Sequence, residues 1–356
     1  MSRCNKFPDF TICIPTYNRG SKALNLVNVL REEINENWDI LVLDNNSTNE
    51  SEQYSEINDM SKKISNVRYI KQHANVNFEG NFLSCFEECC SDFFMVISDE
   101  DFVNVDFVNK IVPQLMDNPG IGIVRGSIAP YEGLSGESLV SIEYPDNYFQ
   151  KGKDALYNFS FYNNYPHGTI YNKKLANEKG IVCLLRKNLI KQGTYPHLYV
   201  DMLISAVADV MISSEVGSFE GSSGKQHWDD QDRYLSPAYS FGGRLNQLMV
   251  LRDAIFESVK MVNSNFDEDL FVLIYLKLCE KYYYLVSKVN MMEFVSHHQL
   301  NPVYIQKSLL YFCCAAVSVD ARIQNLAPIL IEKIEKIHVK WEEILQGDIS
   351  NMSTEN

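Results

Sequence analysis

The chain has no excess of basic residues: 32 Lys and Arg stand against 46 Asp and Glu, a formal charge of −14. A nucleic-acid partner would ask for a clustered positive footprint, so no nucleic acid is expected. Its nine cysteines include no C-x-x-C pair. That excludes a zinc ribbon, and an odd count without framework spacing does not suit a disulfide-stapled fold, so a reduced, cytoplasmic protein is expected. No run reaches the roughly 18–20 apolar residues that a membrane span requires. The longest, Ser308 to Val319, is interrupted by Asp320 and Arg322 and reads as a buried helix. Met1 to Phe10 has no apolar core, so no leader is expected. No G-x-G-x-x-G follows the first strand pattern, which disfavours an ordinary dinucleotide fold.

What is present is a globular composition, 46% hydrophobic and 22% charged over 356 residues. This suits one large α/β domain with an appendage. Phe10 to Ile14 is a short apolar run that Pro15 is expected to end, since proline donates nothing to a sheet ladder. Ala23, Leu24, Val27, Leu30 and Ile34 then recur at helical spacing, with Ser21 as the expected N-cap. Ile40 to Leu43 returns as a second strand. Val67 to Ile70, a helix over 81–90 and Phe93 to Ser98 repeat the pattern, and strand, helix, strand implies parallel crossovers. Val105 to Met116 reads as a helix and Ile121 to Val124 as a strand. Tyr165 to Tyr171 and Val210 to Ser213 read as further strands, with an apolar helix from Tyr199 to about Ala208 between them.

Ligands of open parallel sheets bind beyond the carboxyl ends of the strands, and there the polar clusters of this sequence fall. Thr16-Tyr17-Asn18-Arg19, Asp44-Asn45-Asn46-Ser47 and Asp99-Glu100-Asp101 would line one crevice. If the strand extends through Ser98, alternation points Asp99 and Asp101 to one side and Glu100 to the other. Two carboxylates facing one spot suit Mg²⁺ or Mn²⁺ together with substrate phosphates. The competing reading is an acidic turn at the start of the next helix. Cys85, Cys89 and Cys90 fit core packing on one helical face better than metal binding.

From about Phe241 the pattern becomes helical, so the expected division is an α/β domain over 1–240 and a helical region over 241–356. Leu330, Ile334, Ile337, Trp341 and Ile344 make a short heptad-like seam. It suits packing on the chain's own helices or a homodimer. Lys333, Lys336 and Lys340 beside it leave room for peripheral contact at the cytoplasmic face of a membrane.

Thr11 to Arg19, Leu41 to Ser47 and Ile97 to Asp101, in this order and separation, resemble the family 2 glycosyltransferases over roughly residues 8 to 235. The resemblance implies a GT-A fold, a Rossmann-like and mostly parallel sheet flanked by helices. It also implies a nucleotide-sugar donor, by preference a UDP-sugar, a Mn²⁺ or Mg²⁺ ion and transfer with inversion to a glycan or lipid-linked acceptor, as in cell-surface polysaccharide synthesis. By this resemblance Pro15, Thr16, Tyr17, Asn18 and Arg19 wrap the nucleoside, and Asp44, with Asn46 beside it, holds the base. Asp99 reaches ribose or metal and Asp101 ligates the metal. Asn77 and Asn81 match an Asn-rich signature, although a helix N-cap explains Asn77 equally well. The acceptor-side base has its nearest match in Asp201, preceded by Val200 where the family commonly has an acid; Asp209, Asp229 and Asp230 compete. His227 is expected to complete the metal shell or to meet phosphate, helped by Lys225 and Trp228, against a reading in which His227 and Trp228 pack on a loop. His167 is expected on the acceptor or phosphate side. Two other readings are a sugar-phosphate nucleotidyltransferase, which lacks its glycine-rich phosphate loop here, and a non-catalytic sugar-nucleotide-binding subunit, which the intact Asp44, Asp99 and Asp101 disfavour.

Overall fold

The computed structural model describes residues 8–131, 141–161, 165–188, 195–221, 241–283 and 302–352. The chain divides into two compact units between residues 221 and 241. In the first, nine strands form one sheet: β1 (Phe10–Thr16), β2 (Trp38–Asp44), β3 (Val67–Lys71), β4 (Phe93–Val96), β5 (Phe102–Val103), β6 (Ile121–Pro130), β7 (Asn147–Phe149), β8 (Thr169–Asn172) and β9 (Asp209–Glu220). Their order is β3-β2-β1-β4-β8-β6-β9-β5, with β7 on β9. Eight helices accompany them among the described residues: α1 (Gly20–Glu33), α2 (Ser51–Lys63), α3 (Asn77–Glu88), α4 (Val105–Asp117), α5 (Lys153–Phe159), α6 (Lys173–Glu178), α7 (Ile181–Asn188) and α8 (Pro196–Val207).

Helices cover both faces, which is why β1, β2 and β4 read as unbroken apolar runs. On one face Ile12, Ile14, Ile40, Val42 and Met95 form a core with Leu26 and Val27 of α1, Ile57 of α2 and Val108 of α4. On the other, Phe82 and Phe86 of α3 meet Phe94 and Tyr171, with the Phe86 and Phe94 rings edge-to-face at 4.8 Å. Cys13, Cys85 and Cys89 are buried free thiols, so these three pack as core residues.

Two expectations about the sheet are corrected. Pro15 does not end β1 but pairs with Leu43 inside it; the β4 ladder reaches only Cys13, so no proline N–H is needed on that side. The fourth strand stops at Val96 rather than Ser98. In the sheet, β1 to β4 pair in parallel in the order above and β6 runs parallel to β9, while β8 runs antiparallel to both β4 and β6. This reversal carries the start of β8 back to the strand ends where the polar loops lie. Ser21 is not the N-cap either. The first helix starts at Gly20, where a Cβ would lie 2.8 Å from the Glu50 carbonyl oxygen, and the Glu50 carboxylate accepts from the Ser21 N–H at 2.6 Å.

The second unit contains helices over Phe241–Val262, Glu268–Tyr283, Pro302–Ser318 and Ala327–Met352. Two Arg and two Asp pin it together. Arg252 contacts Asp253 at 2.8 Å and Asp320 at 3.1 Å, and Arg322 reaches Asp320 at 2.6 Å while lying over the Phe256 ring. Of the heptad-like seam, Leu330 and Ile334 are fully buried, and Ile337 and Trp341 are half-buried. Among the described residues no helix is long and apolar enough to cross a membrane.

Candidate active site

Three loops leave the carboxyl ends of β1, β2 and β3, and each holds an asparagine in the left-handed region: Asn18 (φ 54°), Asn46 (φ 60°) and Asn77 (φ 59°). Asparagine tolerates that conformation because its short amide bonds locally, which accounts for the Asn-rich stretches of the sequence. Asn77 is therefore no N-cap. The loops are tied to one another. The Asn18 Oδ1 accepts from the N–H groups of Thr48 and Asn49 at 2.8 and 3.0 Å. Asn45 accepts from the Val76 N–H at 2.8 Å and donates to Asn75 Oδ1 at 2.9 Å. Asn81, on α3, donates to the Leu43 carbonyl at 2.9 Å, and its own Oδ1 is buried with no partner.

Asp44 closes β2 as a fully buried carboxylate. It accepts from the Ser47 N–H at 2.7 Å and from the Tyr69 hydroxyl at 2.6 Å. Burial, then Asp44 itself, push the Tyr69 hydroxyl well above its ordinary range, so it stays a donor. Around this crevice Tyr17, Val76 and Phe78 are exposed apolar side chains, and the Pro15–Thr16 backbone runs beside Leu43–Asp44.

The acids after β4 form a turn rather than a strand, closed by the Asp101 N–H to the Ser98 carbonyl at 3.2 Å. Alternation therefore fails. Glu100 does not point away from Asp99; Arg19 contacts both, at 3.1 and 3.2 Å, and Lys22 adds 2.8 Å to Glu100. Thr16 donates to the second Asp99 oxygen at 2.7 Å. Asp99 is thus held between a cation and a hydroxyl, and burial still raises its pKa. Asp101 is different. The Gly221 N–H donates to it at 3.2 Å, and burial, with Glu100, Glu220 and Asp99 nearby, pushes its carboxyl up to about 8. A buried acid that shares its surroundings with three more suits a hard divalent cation. Among the described residues no group of three or more His, Cys, Asp or Glu side chains is placed to hold a metal ion.

Asp201 sits on α8 and is 1% exposed. Arg125, on β6 and also 1% exposed, contacts one carboxylate oxygen at 3.1 Å, and the Tyr171 hydroxyl donates to the other at 3.0 Å. Burial pushes the Asp201 carboxyl up against the pull of Arg125. Asp201, the expected acceptor-side base, is therefore one half of an enclosed ion pair. Asp209 lies at the far end of the sheet, beside Ile121 at the start of β6, where Tyr148 and the Lys151 N–H occupy its oxygens. Lys225, His227, Trp228, Asp229 and Asp230 lie outside the described residues. His167 is on the turn into β8, with Gly168 donating to the Val96 carbonyl at 2.8 Å. Its Nδ1 is enclosed without a partner, and burial lowers its pKa to about 4.

Sequence reasoning missed Tyr54, Tyr69, Arg125 and Tyr171. Each acts through a neighbour distant in the chain: Tyr54 meets the Thr16 hydroxyl at 2.8 Å and accepts from the Arg19 N–H at 3.0 Å. Only the aromatic residues of β3 and β8, at positions facing a loop acid, could have hinted at them.

The model of glycosyl transferase family 2 matches residues 11–179, a span that includes Asp44, Asp99, Asp101 and His167 and stops before Asp201. The fold is similar to a crystal structure of S. aureus TarS 1-349 in complex with UDP-GlcNAc, with a TM-score of 0.63 at 14% identity over 95% of this chain and 92% of that one. A second crystal structure of the same segment gives 0.61 at 14% identity over 95% and 91%. The longer crystal structure of S. aureus TarS gives 0.57 at 13% identity, over 93% of this chain and 53% of that one. At this coverage the likeness extends into the helical unit. No curated protein matches the chain.

Proposed function

Residues 11–179 being a glycosyl transferase family 2 domain, and the chain accordingly a glycosyltransferase, we propose that it moves a sugar from a UDP-sugar to a hydroxyl of a glycan or lipid-linked acceptor, with inversion and with help from a divalent cation. The observation that carries this reading is the placing of three buried carboxylates, Asp44, Asp99 and Asp101, beyond the carboxyl ends of β2 and β4, the two strands that flank β1. UDP-GlcNAc, the ligand of the S. aureus TarS complex, is the first donor to test.

In this reading the base lies in the crevice between the first and second loops, where Tyr17 offers an exposed ring and Asp44 accepts an imide N–H. Tyr69 and Ser47 fix that carboxylate, so it meets the base without reorganising. Asp101, with Asp99, would hold a Mn²⁺ or Mg²⁺ ion, which stabilises the charge that develops on the departing diphosphate. Arg19 carries positive charge to the same place and would move between Asp99, Glu100 and the phosphates. On the acceptor side Asp201 takes the hydroxyl proton. Arg125 favours its ionised form against the net upward push of burial, and Tyr171 orients it. With one base and no enzyme nucleophile, attack from the face opposite the diphosphate inverts the anomeric centre.

Calorimetry with UDP tests the first step. Asp44→Asn keeps the shape of the side chain but turns one acceptor into a donor, so UDP affinity should fall by about 1–3 kcal/mol, the scale of a lost charged hydrogen bond. Unchanged affinity would reduce Asp44 to a loop-capping acid.

Cation binding should also depend on pH with a definite sign. The Asp101 carboxyl, raised to about 8 by burial and neighbouring acids, is mostly protonated at neutral pH, and a cation must displace that proton. Affinity for Mn²⁺ should therefore rise by nearly tenfold per unit as pH increases towards about 8, then level off. Titrations in buffers of different ionisation heat should show close to one proton released at pH 7. A flat profile between pH 6 and 8 would place the cation elsewhere.

A further inference from the structure

The His167 imidazole is the group at this site for which the steps above give no role. It is half-buried as a whole, but its Nδ1 is fully enclosed and bonded to nothing. An enclosed polar atom left unpaired is costly, and in a folded protein it usually marks a position filled by water or ligand. Its place is set by topology. Strand β8 pairs with β4 on one side and β6 on the other, so its first residues lie between the acid turn and the Arg125–Asp201 pair. The Gly168 N–H pins the turn to the Val96 carbonyl at 2.8 Å, three residues before Asp99. One residue further on, the Thr169 hydroxyl accepts from Arg125 Nε at 3.1 Å. Gly168, with φ 73°, has Ser218 packed against it so closely that a Cβ would lie 2.3 Å from its hydroxyl oxygen. The backbone of the turn is therefore closely packed against β4 and Ser218.

Resting on the proposed reaction, what must lie between a leaving diphosphate and an acceptor-side base is the sugar in transit. We propose that His167 is a specificity-determining residue whose Nδ1 hydrogen-bonds a hydroxyl or amide group of the transferred donor sugar. The chemistry of the site favours a sugar over a phosphate. Arg19 and the acid pair with its cation meet the diphosphate charge, whereas an enclosed, neutral imidazole supplies one uncharged hydrogen bond of the kind a sugar substituent gives or takes.

The experiment compares UDP with UDP-GlcNAc by calorimetry in the presence of Mn²⁺, on the full chain and on two variants. For the parent, UDP binding tests the proposed function itself; if UDP does not bind, that reading fails before this one is reached. For His167→Ala, affinity for UDP should stay within about twofold while affinity for UDP-GlcNAc falls by about five- to tenfold, the scale of one net hydrogen bond. His167→Asn, whose amide can place a nitrogen near the Nδ1 position, should recover most of the loss. Thermal unfolding of both variants separates misfolding from lost contact. If UDP binds normally and both variants bind UDP-GlcNAc like the parent, the Nδ1 holds only water and the proposal is wrong. An equal loss for UDP and UDP-GlcNAc would also overturn it, by moving the contact to the nucleotide.

Discussion

Asp101→Asn is expected to fold like the parent and to lose sugar transfer by about two to three orders of magnitude, because a cation that stabilises the leaving diphosphate is worth several kcal/mol and each 1.4 kcal/mol is a tenfold change in rate. The variant isolates charge from shape. Asparagine has the outline of the protonated acid, and the Asp101 side chain, raised to about 8 by burial beside Glu100, Glu220 and Asp99, is already largely neutral near pH 7. The sign of the stability change follows. A carboxyl with a folded-state pKa above its unfolded value favours the folded state below the unfolded pKa and loses that contribution as pH rises through the folded pKa. Without a cation, the parent should therefore lose stability between about pH 4 and 8, and Asp101→Asn should flatten that part of the profile. Loss of turnover together with a flatter profile is the expected pair of results. Full turnover in Asp101→Asn, or in the parent with excess EDTA, would remove the cation from the mechanism.

The second large effect concerns the buried pair of Arg125 and Asp201. Arg125 and Asp201 are each 1% exposed and meet at 3.1 Å. Removing one partner strands the other charge, and that costs about 3–5 kcal/mol. Asp201→Ala should accordingly lose stability on this scale in urea unfolding, and its inactivity would say nothing about chemistry. The informative variant is Arg125→Met with Asp201→Leu together. Replacing a buried ion pair by apolar side chains of similar volume is often neutral or stabilising, so the double variant should recover most of the stability. If Asp201 takes the acceptor proton, it should remain inactive, by about two to four orders of magnitude, the range of general-base catalysis. A double variant that is both stable and active would make the pair a strut and put the base elsewhere.

Both experiments depend on contacts of very different visibility in the sequence. The acid turn was legible as Asp99-Glu100-Asp101 after a buried run, because an apolar segment that stops abruptly at acids marks a strand end whatever the fold around it. Its geometry was not. Alternation holds only while the backbone stays extended, and β4 ends at Val96, so Glu100 turns to Arg19 instead of away from Asp99. The Asn-rich loops were legible as loops; that Asn18, Asn46 and Asn77 each adopt positive φ is a property of the turns they occupy. The heptad-like seam was read correctly as apolar spacing, but spacing does not name a partner, and Leu330 and Ile334 turn out to be buried within the helical unit.

The sequence by itself determined the order of strands and crossover helices in the first half of the chain, the polar clusters at their carboxyl ends and the change to helices beyond about Phe241. Each is written in the local alternation of apolar and polar residues, and a segment's burial is largely a local property. Tertiary structure decided the rest. The reversal of β8, the Thr16 hydroxyl on Asp99 across 83 residues and the Arg125–Asp201 pair across 76 all depend on which strand lies beside which, and in what register. Periodicity reports that a face is covered but not what covers it, so partners that meet only when the sheet is assembled leave no mark on the segments that contribute them.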